Sequence, residues 1–120
     1  MKYILLVIIL FVFTPAQANV KTYIMECESG ENHEAYNWKD AELREDKTPS
    51  VGLYQFYWGT WVKYAKIYKV IPETLKLTYQ TTLPYLLDPV YNAAVAHGML
   101  ADKLYSNWQN CYNNYLKVAS

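Results

Sequence analysis

The chain holds two cysteines, Cys27 and Cys111, placed near opposite ends of the region that can fold. An N-terminal leader precedes both. Lys2 supplies a positive start, Tyr3 to Phe13 form an apolar run, and Ala16-Gln17-Ala18 has the small-x-small pattern of a cleavage site. The run is well short of the roughly 20 residues a membrane-spanning helix needs. Residues 1–18 are therefore expected to be a signal peptide and residues 19–120 a single domain, secreted or periplasmic, with no stable membrane insertion. In an oxidising compartment two cysteines permit one intramolecular bridge. A Cys27–Cys111 bond would close a long loop and contribute about 4–5 kcal/mol in the chain-entropy description. For a domain this small that is a large share of its stability.

Charge narrows the function classes. The whole chain is formally neutral, and loss of Lys2 with the leader leaves it one charge negative. Nucleic-acid binding calls for a basic footprint and is not expected. Eight acidic residues against two basic ones fall between Glu26 and Asp46, while Lys63, Lys66, Lys69 and Lys76 lie further on. Two solvated faces of opposite sign account for this pattern. His33 and His97 stand alone, without ligand spacing to either cysteine, so no metal site and no cofactor are expected.

The pattern of apolar residues reads as an α+β chain, mainly helical with one small β element. Val20 to Ser29 forms a helix stopped by Gly30, and Asn32 to Thr48 reads as polar and irregular. Ser50 to Phe56 reads as a short β segment around Gly52. A helix from about Gly59 to Val70 carries an apolar stripe of Trp61, Ala65 and Tyr68, with Lys63, Lys66 and Lys69 off it. Glu73 to Leu87 reads as short helical turns interrupted by Pro84. Asp88-Pro89 is a helix start, an N-cap acceptor followed by proline at the first position, and that helix runs to about Tyr105. Trp108 to Val118 closes the chain as a final helical segment.

Glu28 is the residue with the clearest chemical potential. At the C-terminal end of a helix the dipole disfavours its ionisation, and burial against aromatic rings would raise its pKa further. Both keep it protonated near neutrality, as a general acid acting on a glycosidic oxygen requires. Opposite it, Gly52 would allow close backbone approach to a ligand. Strict alternation would send Tyr54 and Gln55 to opposite faces, so a bulge or turn is implied, or only one of the two touches substrate. Among thirteen tyrosines and four tryptophans, Tyr54 and Trp108 are the candidates for stacking on sugar rings.

These residues resemble the lysozyme-like lytic transglycosylases. Glu28-Ser29-Gly30, then Ser50-x-Gly52-Leu53-Tyr54-Gln55, is similar to their Glu-Ser and Ser-x-Gly-Leu-x-Gln signature, and Asp88-Pro89-x-x-Asn92 looks like the start of the helix that follows. Local motifs also resemble resuscitation-promoting factor domains: Cys27 to Gly30, Gly52 to Phe56, Thr60-Trp61 and Trp108-x-x-Cys111. The resemblance implies a lysozyme-like fold and cleavage of the bond between N-acetylmuramic acid and N-acetylglucosamine in peptidoglycan glycan strands. It implies Glu28 as the catalytic residue and Tyr54 and Gln55 as lining the cleft; with Ser50 and Trp108 these make up the expected substrate-binding residues. A partner in secretion or cell-wall machinery is not identified by it.

The chain departs from that pattern twice. The segment between Glu28 and Gly52 carries an extra charged stretch around Asp40 to Lys47, and the late Ala-Tyr-Asn-Ala-Gly motif is missing. Two other readings stay open. One is a lysozyme-type hydrolase using a second carboxylate from Asp40, Glu42, Glu45 or Asp46. The other is a non-catalytic wall-binding module of the same fold.

Overall fold

The computed structural model describes residues 15–119, with side chains from Val20 onward. Among the described residues, six α-helices and one two-stranded sheet form an α+β, mainly helical domain. In chain order these are α1 (Pro15–Ser29), β1 (Tyr36–Asn37), α2 (Trp38–Glu42), β2 (Ser50–Val51), α3 (Trp58–Ile67), α4 (Tyr79–Leu87), α5 (Pro89–Ala101), a 3-10 turn (Tyr105–Trp108) and α6 (Gln109–Ala119). Among the described residues no helix is long and apolar enough to cross a membrane. The expected leader lies outside the described residues up to residue 14. Helix α1 begins at Pro15, so its first turn overlaps the end of that leader.

The core gathers one face of each long helix. Ile24 of α1, Trp61 and Ala65 of α3, Leu86 of α4, and Val95 and Ala96 of α5 are fully buried together with Val51 and Phe56. Helix α6 packs along α1, and α3, α4 and α5 pack on one another. The α3 stripe behaves as the sequence suggested, with Lys63, Lys66 and Lys69 exposed. Asp88 caps α5 through a 2.8 Å hydrogen bond from the Val90 amide, with Pro89 at the first helical position. The expected bond between Cys27 and Cys111 is present, with Cα atoms 5.9 Å apart. It clamps the end of α1 to the start of α6.

Three local expectations are corrected. The stretch 32–48 is not wholly irregular: Asn37 accepts the Lys39 amide at 3.1 Å and starts the five-residue helix α2, whose Ala41 is buried. Pro84 does not interrupt the segment before α5 but sits inside α4. A capping box between Thr78 and Thr81 holds the start of that helix, and the carbonyl that Pro84 leaves without a helical donor belongs to exposed Gln80. Residues 50–56 are not one strand either. Only Ser50 and Val51 pair with β1, after which the chain turns back at once.

Candidate active site

That turn creates the site. Val51 and Phe56 exchange both backbone hydrogen bonds at 3.0 Å, and Gln55 N donates to Gly52 O at 3.1 Å. Gly52 (φ 87°) and Gln55 (φ 51°) both have left-handed backbones. A Cβ at Gly52 would run into Asn92 Nδ2 and lie 2.6 Å from the Leu86 carbonyl. The close approach that requires glycine is thus to Asn92 of α5 and not to a ligand. Asn92 is fully buried. Its Oδ1 accepts the Tyr54 amide at 3.0 Å, and its Nδ2 donates to Leu86 O at 2.8 Å and Val51 O at 3.3 Å.

The turn sends the Tyr54 and Gln55 side chains in opposite directions. Tyr54 points into the core and is 2% exposed. Its hydroxyl donates to Lys21 O at 3.1 Å and lies 3.2 Å from His97 Nε2, and burial pushes its pKa up to about 12. Its expected role in binding substrate is therefore corrected: Tyr54 locks the turn to α1 and α5. Trp108 backs the cleft wall at 1% exposure, its indole N–H donating to Tyr54 O at 2.8 Å. Its rings pack edge-on against Tyr54 and Phe56, so it supports the turn from behind and offers no open face for stacking.

Gln55 faces the other way, into a cleft of about 480 Å³ that also holds Glu28. Its Nε2 donates to Ala35 O and Gly52 O, each at 3.1 Å, which fixes the amide in the cleft wall. Asn37, Asp40, Arg44, Ser50 and Tyr57 line this cleft, together with residues 106–111. The disulfide ties Cys27, the residue before Glu28, to the 106–111 part of the lining, since Cys111 itself lines the cleft. Asn107 Nδ2, in that part, is buried without a hydrogen-bond partner among the described residues.

Half-buried Glu28 has its pKa raised to about 7, first by burial and then by the charge of Asp40. Asp40 is oriented by its neighbours. Ser50 Oγ donates to Asp40 Oδ2 at 2.6 Å and accepts from Arg44 Nη2 at 2.8 Å. Ser50 is 2% exposed, so its part in the cleft is to bridge those two charges.

The four acidic candidates of the charged stretch separate in space. Glu42 and Glu45 are exposed and only Asp40 lines the cleft. Asp46 accepts from Tyr57 Oη at 2.7 Å, Trp58 Nε1 at 3.0 Å, and Thr48 N and Oγ1 at 3.1 and 2.8 Å. Partial desolvation works against ionisation of Asp46, yet these hydrogen bonds together hold its pKa at about 2.

Sequence reasoning did not single out Arg44, Tyr57 or Asn107. A signal was available only for Arg44, the one arginine in the chain. The exposed aromatic pair is Tyr36 and Trp38, stacked at 5.9 Å on either side of Asn37. Compared with known proteins, the chain matches no family model, no curated protein and no solved structure.

Proposed function

We propose that the protein is a peptidoglycan lytic transglycosylase acting outside the cytoplasm, with Glu28 as its acid and base. The observation that carries this reading is an acid whose pKa is raised to about 7, in a polar-lined cleft of about 480 Å³. At neutral pH a large fraction of Glu28 holds its proton, and the group can both give and take one. Glu28 donates to the glycosidic oxygen, the C1–O bond breaks, and the electron pair leaves with that oxygen. The resulting carboxylate takes the proton of the muramic acid 6-hydroxyl as that oxygen bonds to C1. No water enters, and a 1,6-anhydro end results. The hydroxyl already tethered beside C1 stands in for a second enzyme group through its high effective molarity.

One observation favours a second reading. Asp40 shares the cleft with Glu28 and is held by Ser50, which is how a lysozyme-type muramidase would place a second carboxylate to work with water. Product masses distinguish the two, because anhydro ends are one water lighter than hydrolytic ends. Purified protein lacking the leader is incubated with peptidoglycan and the fragments are weighed. Anhydro products, with turnover lowered about 10²–10⁴-fold in Glu28→Gln, support the transglycosylase. Reducing ends together with an equal loss in Asp40→Asn support the muramidase. Binding to peptidoglycan without any cleavage by the wild type leaves only a wall-binding module.

A further inference from the structure

Arg44 is the only arginine in the chain, and it lines the same cleft as Glu28 and Asp40. Its guanidinium is fixed from three sides. Nη1 donates to Thr48 O at 2.9 Å, Nη2 donates to Ser50 Oγ at 2.8 Å, and Cζ lies 4.8 Å from the centroid of the Tyr57 ring. All three partners are neutral. Asp40 meets the guanidinium only through the shared Ser50 hydroxyl, and Asp46 is occupied by Tyr57, Trp58 and Thr48. A guanidinium has five N–H donors in a planar fork, and these two hydrogen bonds use two of them. A rigid, half-buried cation with donors to spare matches a carboxylate, and a neutral sugar hydroxyl would use it poorly.

Building on the reading of this cleft as a peptidoglycan-cleaving site, we infer that Arg44 receives a substrate carboxylate. That group belongs either to the lactyl side arm of the muramic sugar or to the peptide attached there. The cleft then selects charged wall polymer over uncharged glycan, and the selecting residue belongs to the stretch that departs from the transglycosylase pattern.

Binding is measured with Glu28→Gln protein, so that turnover does not interfere, on three preparations. Intact peptidoglycan carries peptide carboxylates. Amidase-stripped glycan carries the lactyl carboxylate. Peptidoglycan coupled to ammonia with a carbodiimide carries neither. The Glu28→Gln protein is expected to bind the amidated material about tenfold more weakly than the better of the other two, and that better one names the carboxylate. Adding Arg44→Gln is expected to lower binding to the carboxylate-bearing material about tenfold, with no further loss on the amidated material. Arg44→Lys, which keeps the charge and loses the fork, is expected to fall between them. A loss of equal size on all three preparations makes Arg44 a brace for Thr48 and Ser50 and overturns the inference. So does equal binding of the Glu28→Gln protein to charged and amidated material. If the wild type cleaves nothing but the charge dependence holds, the enzymatic reading fails and the Arg44 assignment stands. Cleavage without charge dependence has the opposite consequence.

Discussion

Trp61, Phe56 and Leu86 sit in the core fully buried, whereas Trp38 and Leu43, earlier in the chain, are 62% and 89% exposed. The helical core is held by apolar burial, by the buried hydrogen bonds of Asn92, Tyr54 and Trp108, and by the disulfide. The stretch between β1 and β2 buries little beyond Ala41 and Pro49. It is held by the side-chain hydrogen bonds of Arg44 and Asp46. Both regions supply the cleft, Glu28 and Gln55 from the core side and Asp40 and Arg44 from the stretch. The core fixes where the acid sits, and the stretch sets the charges around it. Changes to the second can retune the site without unfolding the first.

The largest effects should come from the core. Cys27→Ser with Cys111→Ser removes the closure of the long loop and is expected to lower unfolding free energy by about 4 kcal/mol in denaturant titration. A loss below about 1 kcal/mol would show that α1 and α6 hold together without the bond. Gly52→Ala comes next, at about 3 kcal/mol, because a left-handed backbone and a collision with Asn92 and Leu86 add together. Near-neutral behaviour there would mean the turn can move away from α5.

Changes in the stretch between the strands should touch chemistry more than stability. Asp40→Asn removes a negative neighbour that raises the Glu28 pKa. The fall of kcat/KM with rising pH, centred near the Glu28 pKa of about 7, is expected to move to lower pH. At pH 7 the expected result is a lower rate, because less of Glu28 then holds its proton. A pH–rate profile unchanged in position would separate the two carboxylates. The smallest global effect belongs to Asp46→Asn, below about 1 kcal/mol because the group is exposed. Faster hydrogen exchange confined to residues 43–49 would be its signature. Since the Asp46 pKa is depressed from 3.8 to about 2, its stabilisation is present above about pH 4 and is lost as pH falls through 2. Loosening of this stretch already at pH 5 would contradict that assignment.

What could be read from the chain follows the same division. The Asp88-Pro89 helix start and the Trp61–Ala65 stripe were legible because capping and apolar periodicity are local. The cysteine pair was legible because only one pairing exists. Helix α2 was not, since five residues between polar turns carry no apolar period. The paths of Tyr54 and Gln55 were not either. A strand of two residues ends before alternation can be seen, and the turn beyond it is set by Asn92, some forty residues later. Asp40 looked like Glu42, Glu45 and Asp46 for a related reason. Only the fold decides which of four neighbouring acids meets Glu28.

The same Asn92 side chain has a consequence for the order of folding. It ties Tyr54 N, Val51 O and Leu86 O to α5, and two of these contacts span about forty residues. Contacts so distant along the chain form only after the intervening loop has closed. The turn that aims Gln55 into the cleft therefore takes shape after α4 and α5 have docked, and the site is completed late. A φ-value near zero for Asn92→Ala is the expected kinetic trace, with the mutation speeding unfolding and leaving the folding rate nearly unchanged.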